Sequence, residues 1–145
     1  MTALFGYGTF RRTAWRRAIL GAEYPCEPAT LAGYRRVATP KGYLSLRETL
    51  VALAPVPGVL LELDEAGWQV ADAWEEVPAY QLIPVTVSTM AGAREARTYV
   101  YGPVAAGELS PVDDDCFATL TDRDVEISIA AFEPTMRDIR ARYGG

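Results

Sequence analysis

An α+β domain is what the sequence predicts, and three observations predict it. Short strand-like runs recur between proline and glycine breaks, three segments carry apolar residues at helical spacing, and the two kinds of segment are interspersed along the chain. The 145 residues are 50% hydrophobic and 23% charged, a composition that folds around a core and does not stay disordered. That length is close to the commonest domain size, so residues 1–145 are read as a single domain of mixed strands with two or three helices.

The elements follow in order. Residues 3–7 are short, apolar and aromatic, a first strand, and Gly6 and Gly8 bracket Tyr7 where the chain turns. Thr13 can cap a helix with Trp15, Ala18 and Ile19 on one face, Arg12, Arg16 and Arg17 wet, and Gly21 as its stop. Between Tyr24 and Pro57 the many prolines and glycines leave room only for short strands, predicted at 29–37 and 50–53. Residues 59–63 form a firmer strand, and Asp64 can cap the helix after it. Trp68, Ala71 and Glu75 share one face of that helix by their spacing, beside an apolar stripe of Val70 and Trp74, so Glu75 lies on an inward-facing boundary. Residues 80–87 read as a strand that Pro84 marks as an edge or a bulge. Residues 94–101 are its hairpin partner across a turn at Ala91-Gly92-Ala93. Residues 103–120 read as a loop with Asp113-Asp114-Asp115 at its polar tip, read as solvated acids in preference to a cation site. Thr121 then caps a last helix in which Val125, Ile129, Phe132, Met136 and Ile139 recur as core packing, with a kink or break near Phe132 imposed by Pro134.

Composition narrows the chemistry. Lysine and arginine number 14 against 19 acidic residues, a net charge of -5, and this field favours neither nucleic acid nor an anionic membrane. Arg11, Arg12, Arg16 and Arg17 cluster locally, read as the wet face of a short helix or, less simply, an anion site. There is no histidine, which removes Ser-His-Asp and Cys-His arrangements and leaves a carboxylate, lysine, tyrosine or terminus as general base. Cys26 and Cys116 lie far apart with no Cys-x-x-Cys, so no metal site is expected. The glycine turn matches neither the dinucleotide nor the P-loop spacing, so no nucleotide cofactor is expected either. Met1-Thr2-Ala3-Leu4 lacks the character of a signal peptide and no run is long enough to span a membrane, so a cytoplasmic protein is predicted.

The stretch most able to carry chemistry is Asp72-Ala73-Trp74-Glu75-Glu76-Val77-Pro78-Ala79-Tyr80. A carboxyl flanked by Trp74, Val77 and Pro78 can be desolvated enough to serve as a general base. The plainer alternative is that Glu75 and Glu76 are a solvated helix end.

Leu4-Phe5-Gly6-Tyr7-Gly8-Thr9-Phe10 resembles the opening strand and Tyr-Gly-Ser/Thr-Leu turn of the gamma-glutamylcyclotransferase-like (AIG2-like) superfamily. Pro57-Gly58-Val59-Leu60-Leu61-Glu62-Leu63, then Trp68, Asp72, Trp74-Glu75 and Tyr80, resemble that family's strand, helix, Asp-x-aromatic-Glu and following tyrosine in the same order; Tyr99 and Tyr101 fit its next strand. The likeness spans about residues 3–102 and leaves 103–145 as a loop and a C-terminal helical extension. It implies a small mixed-strand β-barrel with flanking helices and a pocket between the glycine turn and Glu75. By the resemblance, Glu75 is the catalytic acid/base, and Gly6, Tyr7, Gly8, Thr9, Phe10 and Tyr80 bind a small gamma-glutamyl substrate, with no cofactor. The implied reaction is attack of the substrate's own α-amine on its side-chain carbonyl, releasing 5-oxoproline and a free amine. Two departures stand out: Glu76 occupies the place where many members have glycine, and Arg11-Arg12 lacks the glycine that often follows the first turn. A catalytically silent binding module, or a related amide-cleaving or acyl-transfer enzyme, are the alternatives. The sequence sets neither the leaving amine nor the oligomeric state.

Overall fold

In a computed structural model, described over residues 3–40, 43–51, 53–75, 79–102, 109–112, 115 and 120–143, five strands close into a barrel. The strands are β1 (Ala3–Gly6), β2 (Cys26–Leu31), β5 (Val56–Glu62), β6 (Tyr80–Thr89) and β7 (Gly92–Tyr101), in the order β1-β5-β2-β6-β7. β1 runs antiparallel to β5 and parallel to β7, which makes the barrel mixed, as expected. A separate three-stranded sheet holds β3 (Tyr34–Ala38), β4 (Leu44–Glu48) and β8 (Ser110–Pro111) in the order β4-β3-β8. Helices α1 (Thr13–Leu20), α2 (Glu65–Trp74) and α3 (Asp122–Tyr143) pack on one another beside the barrel.

The alternation of side chains along a strand explains the two cores. Phe5 of β1, Tyr7 just beyond its end and Leu60 of β5 turn into the barrel with Leu31, Val85 and Val87. Leu4, Leu61 and Leu63 turn outward to meet Trp15, Ile19, Val70 and Met136 of the helices. β1 is thus covered on both faces, the physical reason its sequence is apolar without a break. β1 and β5 approach closely at Gly58, where a Cβ would stand 2.5 Å from the Gly6 carbonyl oxygen and 2.7 Å from the Phe5 ring.

Several local expectations hold. Asp64 caps α2, its Oδ1 accepting from the Gly67 N–H at 2.8 Å. Thr121 and Asp124 cap α3 reciprocally, each side chain accepting from the other's backbone N–H. Gly21 ends α1 at φ 70°. Pro84, by contrast, marks neither an edge nor a bulge: β6 lies between β2 and β7 in the closed barrel, and Pro84 pairs with Arg97 in an unbroken register, tolerated because no β2 residue is registered opposite it.

Others are corrected. Thr13 does not cap α1: it is the first helical residue, extended Arg12 is the cap, and the Thr13 hydroxyl accepts from Arg16 instead. The strand expected over 29–37 is two strands parted by a turn at Gly33, φ 81°. Leu50, Val51 and Leu53 are exposed and outside any strand, while β4 lies just before them. β4 carries Ser45, Arg47 and Glu48, whose polarity hid it, yet Ser45 is buried and accepts the Tyr101 N–H at 2.9 Å. The hairpin turn is Met90-Ala91, one residue earlier than expected, with Thr89 opposite Gly92. The loop predicted over 103–120 contains β8. α3 is one helix through Pro134, not broken near Phe132. Val125 before the proline, and Met136 and Ile139 after it, are all buried, and their packing holds the helix across the lost hydrogen bond.

Candidate active site

The glycine turn is built by close approach. A Cβ on Gly6 would stand 2.7 Å from Cβ of Phe10, so the chain can fold back over β1 only with glycine there. The turn tightens into a single 3₁₀ turn, Thr9–Arg11, closed by Arg11 N–H to the Gly8 carbonyl at 3.0 Å and Arg12 N–H to the Thr9 carbonyl at 3.3 Å. Phe10 is buried beneath it.

Glu75 arrives from the other side. α2 ends at Trp74, and Glu75 is its C-terminal cap, held in helical register by its N–H on the Ala71 carbonyl at 2.9 Å. Trp74 Nε1 donates to Thr9 Oγ1 at 3.3 Å, tying the glutamate-bearing end of the helix to the glycine turn. Tyr80 opens β6 with its hydroxyl donating to the Leu44 carbonyl at 3.0 Å. Between them lies a cavity of about 530 Å³, lined by Gly6, Tyr7, Gly8, Thr9 and Phe10 on one side and by Glu75 and Tyr80 on another. All seven residues singled out from the sequence therefore border one concavity. Among the described lining residues Glu75 is the single carboxylate, and none is lysine or arginine. Glu76 lies outside the described residues.

Two tyrosines set the field around Glu75. Burial, and then the nearby Glu75 carboxylate and Tyr80, push the Tyr7 hydroxyl well above the usual tyrosine range, with Ser45 acting in the opposite sense. Burial, then the Asp72 carboxylate, then Glu75, push the Tyr99 hydroxyl up. Both therefore stay protonated and donate: Tyr7 to the Tyr99 carbonyl, Tyr99 to Asp72 Oδ1. Asp72 stands three residues before Glu75, one turn up the same helix, so this chain of bonds ties the glycine turn to β7 and β7 to the helix that carries the carboxylate.

Sequence reasoning missed part of the wall. Trp15 and Trp74 meet at 5.7 Å between ring centroids, Trp74 and Phe132 edge-on at 5.7 Å, and Trp15 and Phe132 at 6.1 Å, and all three rings line the cavity. Phe132, expected in the core, is 43% exposed at the cavity edge. Ser128, Phe132, Thr135 and Ile139 line it together from α3. Their spacing of four, three and four is a helix face, and the two hydroxyls in it were the available signal that this face is not pure core.

The arginine cluster is structural. Arg11 pairs with Asp115 at 2.6 Å; Arg12 donates to the Leu120 carbonyl at 2.9 Å and to Asp122; Arg16 donates to the Phe10 and Arg11 carbonyls; Arg17 pairs with Glu23. Arg12 and Arg16 are thus half-buried fasteners of the turn and the start of α3, not wet residues, while Arg17 remains exposed. Asp115 of the acidic run has Arg11 as its partner, and Asp113 and Asp114 lie outside the described residues. Burial raises the thiol of Cys26 despite the opposing charge of Arg16; Cys116 is outside the described residues. Among the described residues no three cysteine, aspartate or glutamate side chains are grouped to hold a metal, and no helix is long and apolar enough to cross a membrane.

A family model described as gamma-glutamyl cyclotransferase, AIG2-like, matches residues 4–118. No curated protein matches the sequence. Among solved structures, one Arabidopsis thaliana protein is 23% identical, with a TM-score of 0.59 over 95% of this chain and 81% of its own. An AIG2-like protein from Mus musculus is 16% identical, with a TM-score of 0.58 over 74% and 82%. A structure named gamma-glutamyl cyclotransferase is 16% identical, with a TM-score of 0.60 over 90% and 86%.

Proposed function

Because the chain belongs to the gamma-glutamyl cyclotransferase, AIG2-like family, we propose that it cleaves a gamma-glutamyl amide to 5-oxoproline and a free amine, with Glu75 as the general acid/base. The observation that carries the reading is the cavity of about 530 Å³ in which one carboxylate faces a glycine turn. Glu75 accepts a proton from the substrate's α-ammonium, the freed amine attacks the γ-carbonyl carbon, and the ring nitrogen gives up its second proton to water. The tetrahedral centre collapses as the bond to the leaving nitrogen breaks, and Glu75 returns its proton to that nitrogen. No enzyme nucleophile is needed, because the attacking group and the carbonyl belong to one molecule and ring closure gains the advantage of proximity. Backbone amides of the turn from Gly6 to Phe10 hold the substrate carboxylate or the developing oxyanion. The protonated hydroxyls of Tyr7 and Tyr99 put no second negative charge beside Glu75.

The test is Glu75→Gln, which keeps the shape and removes the proton acceptor. Release of 5-oxoproline should fall by roughly 10²-fold or more with ligand affinity retained. The matching Glu76→Gln change should alter rate or pH optimum mildly, by removing one neighbouring charge. Equal turnover by the Glu75→Gln variant and the parent would refute the assignment.

A further inference from the structure

We infer that the leaving group is an uncharged, apolar or aromatic amine and that Phe132 of α3 selects it; this rests on the cyclotransferase reading. The gamma-glutamyl portion of any substrate brings one carboxylate. None of the described cavity residues is cationic. A leaving group with its own carboxylate, as in a gamma-glutamyl amino acid, would place a second anion in the cavity that holds Glu75, with no described cation to meet it. The two buried tyrosine hydroxyls cannot serve, since each already donates within the protein. The side of the cavity formed by α1, the end of α2 and α3 offers aromatic surface instead: Trp15, Trp74 and Phe132 within 5.7–6.1 Å of one another between centroids. Ser128 and Thr135 add hydroxyls without charge. Phe132 keeps 43% of its surface in water, so an apolar group seated there gains by covering it.

Trp15 and Trp74 bring their rings to this wall from α1 and α2, and Phe132 from the C-terminal helix. α3 starts at Asp122, beyond the family match at residue 118. The residues proposed to carry the chemistry lie within the match, and Phe132 lies outside it. Phe132 is therefore a specificity residue that touches the leaving group and takes no part in proton transfer.

The experiment compares three substrates, the L-gamma-glutamyl amides of benzylamine, methylamine and glutamate, by 5-oxoproline release. In parallel, tryptophan fluorescence titrates the same three compounds into the Glu75→Gln variant, since Trp15 and Trp74 report occupancy without turnover. The benzylamide should exceed both others in kcat/KM by about 10-fold or more, and Phe132→Ala should cut the benzyl-to-methyl ratio by about as much, chiefly through KM. Equal or better turnover of the glutamate or methyl compound, or a ratio unmoved by Phe132→Ala, overturns this inference and leaves the cyclotransferase reading standing. If none of the three releases 5-oxoproline, the cyclotransferase reading falls and the fluorescence decides. Benzylamide binding about 10-fold tighter than the other two upholds the aromatic seat; equal binding, or none, overturns it.

Discussion

Replacing Tyr99 by phenylalanine tests the bond that aligns the glutamate-bearing helix with the barrel. Tyr99 is only 3% exposed and its hydroxyl donates to a carboxylate oxygen of Asp72. A hydrogen bond to a charged group contributes about 1.5–3 kcal/mol, and because Asp72 is only half-buried, water can replace part of the loss, which favours the low end, about 1.5–2 kcal/mol. A chain of 145 residues unfolds with an entropy of about 0.3 kcal/mol/K, so the variant should melt about 5–7 °C below the parent at neutral pH. The alkaline limb gives a second reading. Tyr7 and Tyr99 both have folded-state pKa values raised above the usual one, so above about pH 10 the unfolded chain sheds protons that the native chain keeps. The unfolded state then binds fewer protons, and stability falls as pH rises, by about 1.4 kcal/mol per pH unit for each such tyrosine. Tyr24, pushed up to about 12 by partial burial and Asp64, acts alike in both proteins and cancels. Between about pH 9 and 11 the loss of stability measured by urea unfolding should therefore be smaller in Tyr99→Phe by about 1.4 kcal/mol in total, most of it above about pH 10. An unchanged melting temperature together with an unchanged alkaline slope would refute the buried, donating hydroxyl and with it the link from β7 to Glu75.

Two further outcomes follow. Gly58→Ala puts a methyl group 2.5 Å from the Gly6 carbonyl oxygen; it should destabilise the fold by about 1–3 kcal/mol and lower kcat/KM at the glycine turn, and a variant with parental stability would mean that β1 and β5 are further apart. Activity should survive both EDTA and iodoacetamide, since the proposed chemistry uses one carboxylate and the Cys26 thiol is raised, not activated; loss of turnover with either reagent would point to a group outside the proposed mechanism.

What could be read from the sequence was what local chemistry determines. Leu4-Phe5 is apolar because β1 is covered on both faces, Asp64 and Thr121 announce helix starts by their own hydrogen bonds, and the alternation in β6 and β7 pairs them unaided. β4 was illegible because its burial comes from elsewhere: Ser45 is inside for the sake of the Tyr101 amide, 56 residues away. Phe132 was misassigned for the same reason. A ring at core spacing on a helix is core only if something covers it, and here two tryptophans from other elements turn it into the edge of a cavity. The arginines looked wet because their acceptors, carbonyls at Phe10 and Leu120 and the carboxylates of Asp115 and Asp122, are invisible to a reading by periodicity.

The bond from the Tyr7 hydroxyl to the Tyr99 carbonyl joins residues 92 apart, and Thr98 reaches the Phe5 carbonyl across 93. The β6–β7 hairpin, by contrast, closes over a two-residue turn. Loop-closure entropy sets these in sequence: local pairings form against a small loss of chain freedom, and the seam between the first strand and the last barrel strand against a large one. A chain emerging from the ribosome holds its amino-terminal strand unpartnered on the β7 side until residue 101 has been made, and the aromatic helix comes later still. The wall that α3 lends the cavity is thus synthesised last, after the glycine turn, the helix end that bears Glu75 and the barrel strands.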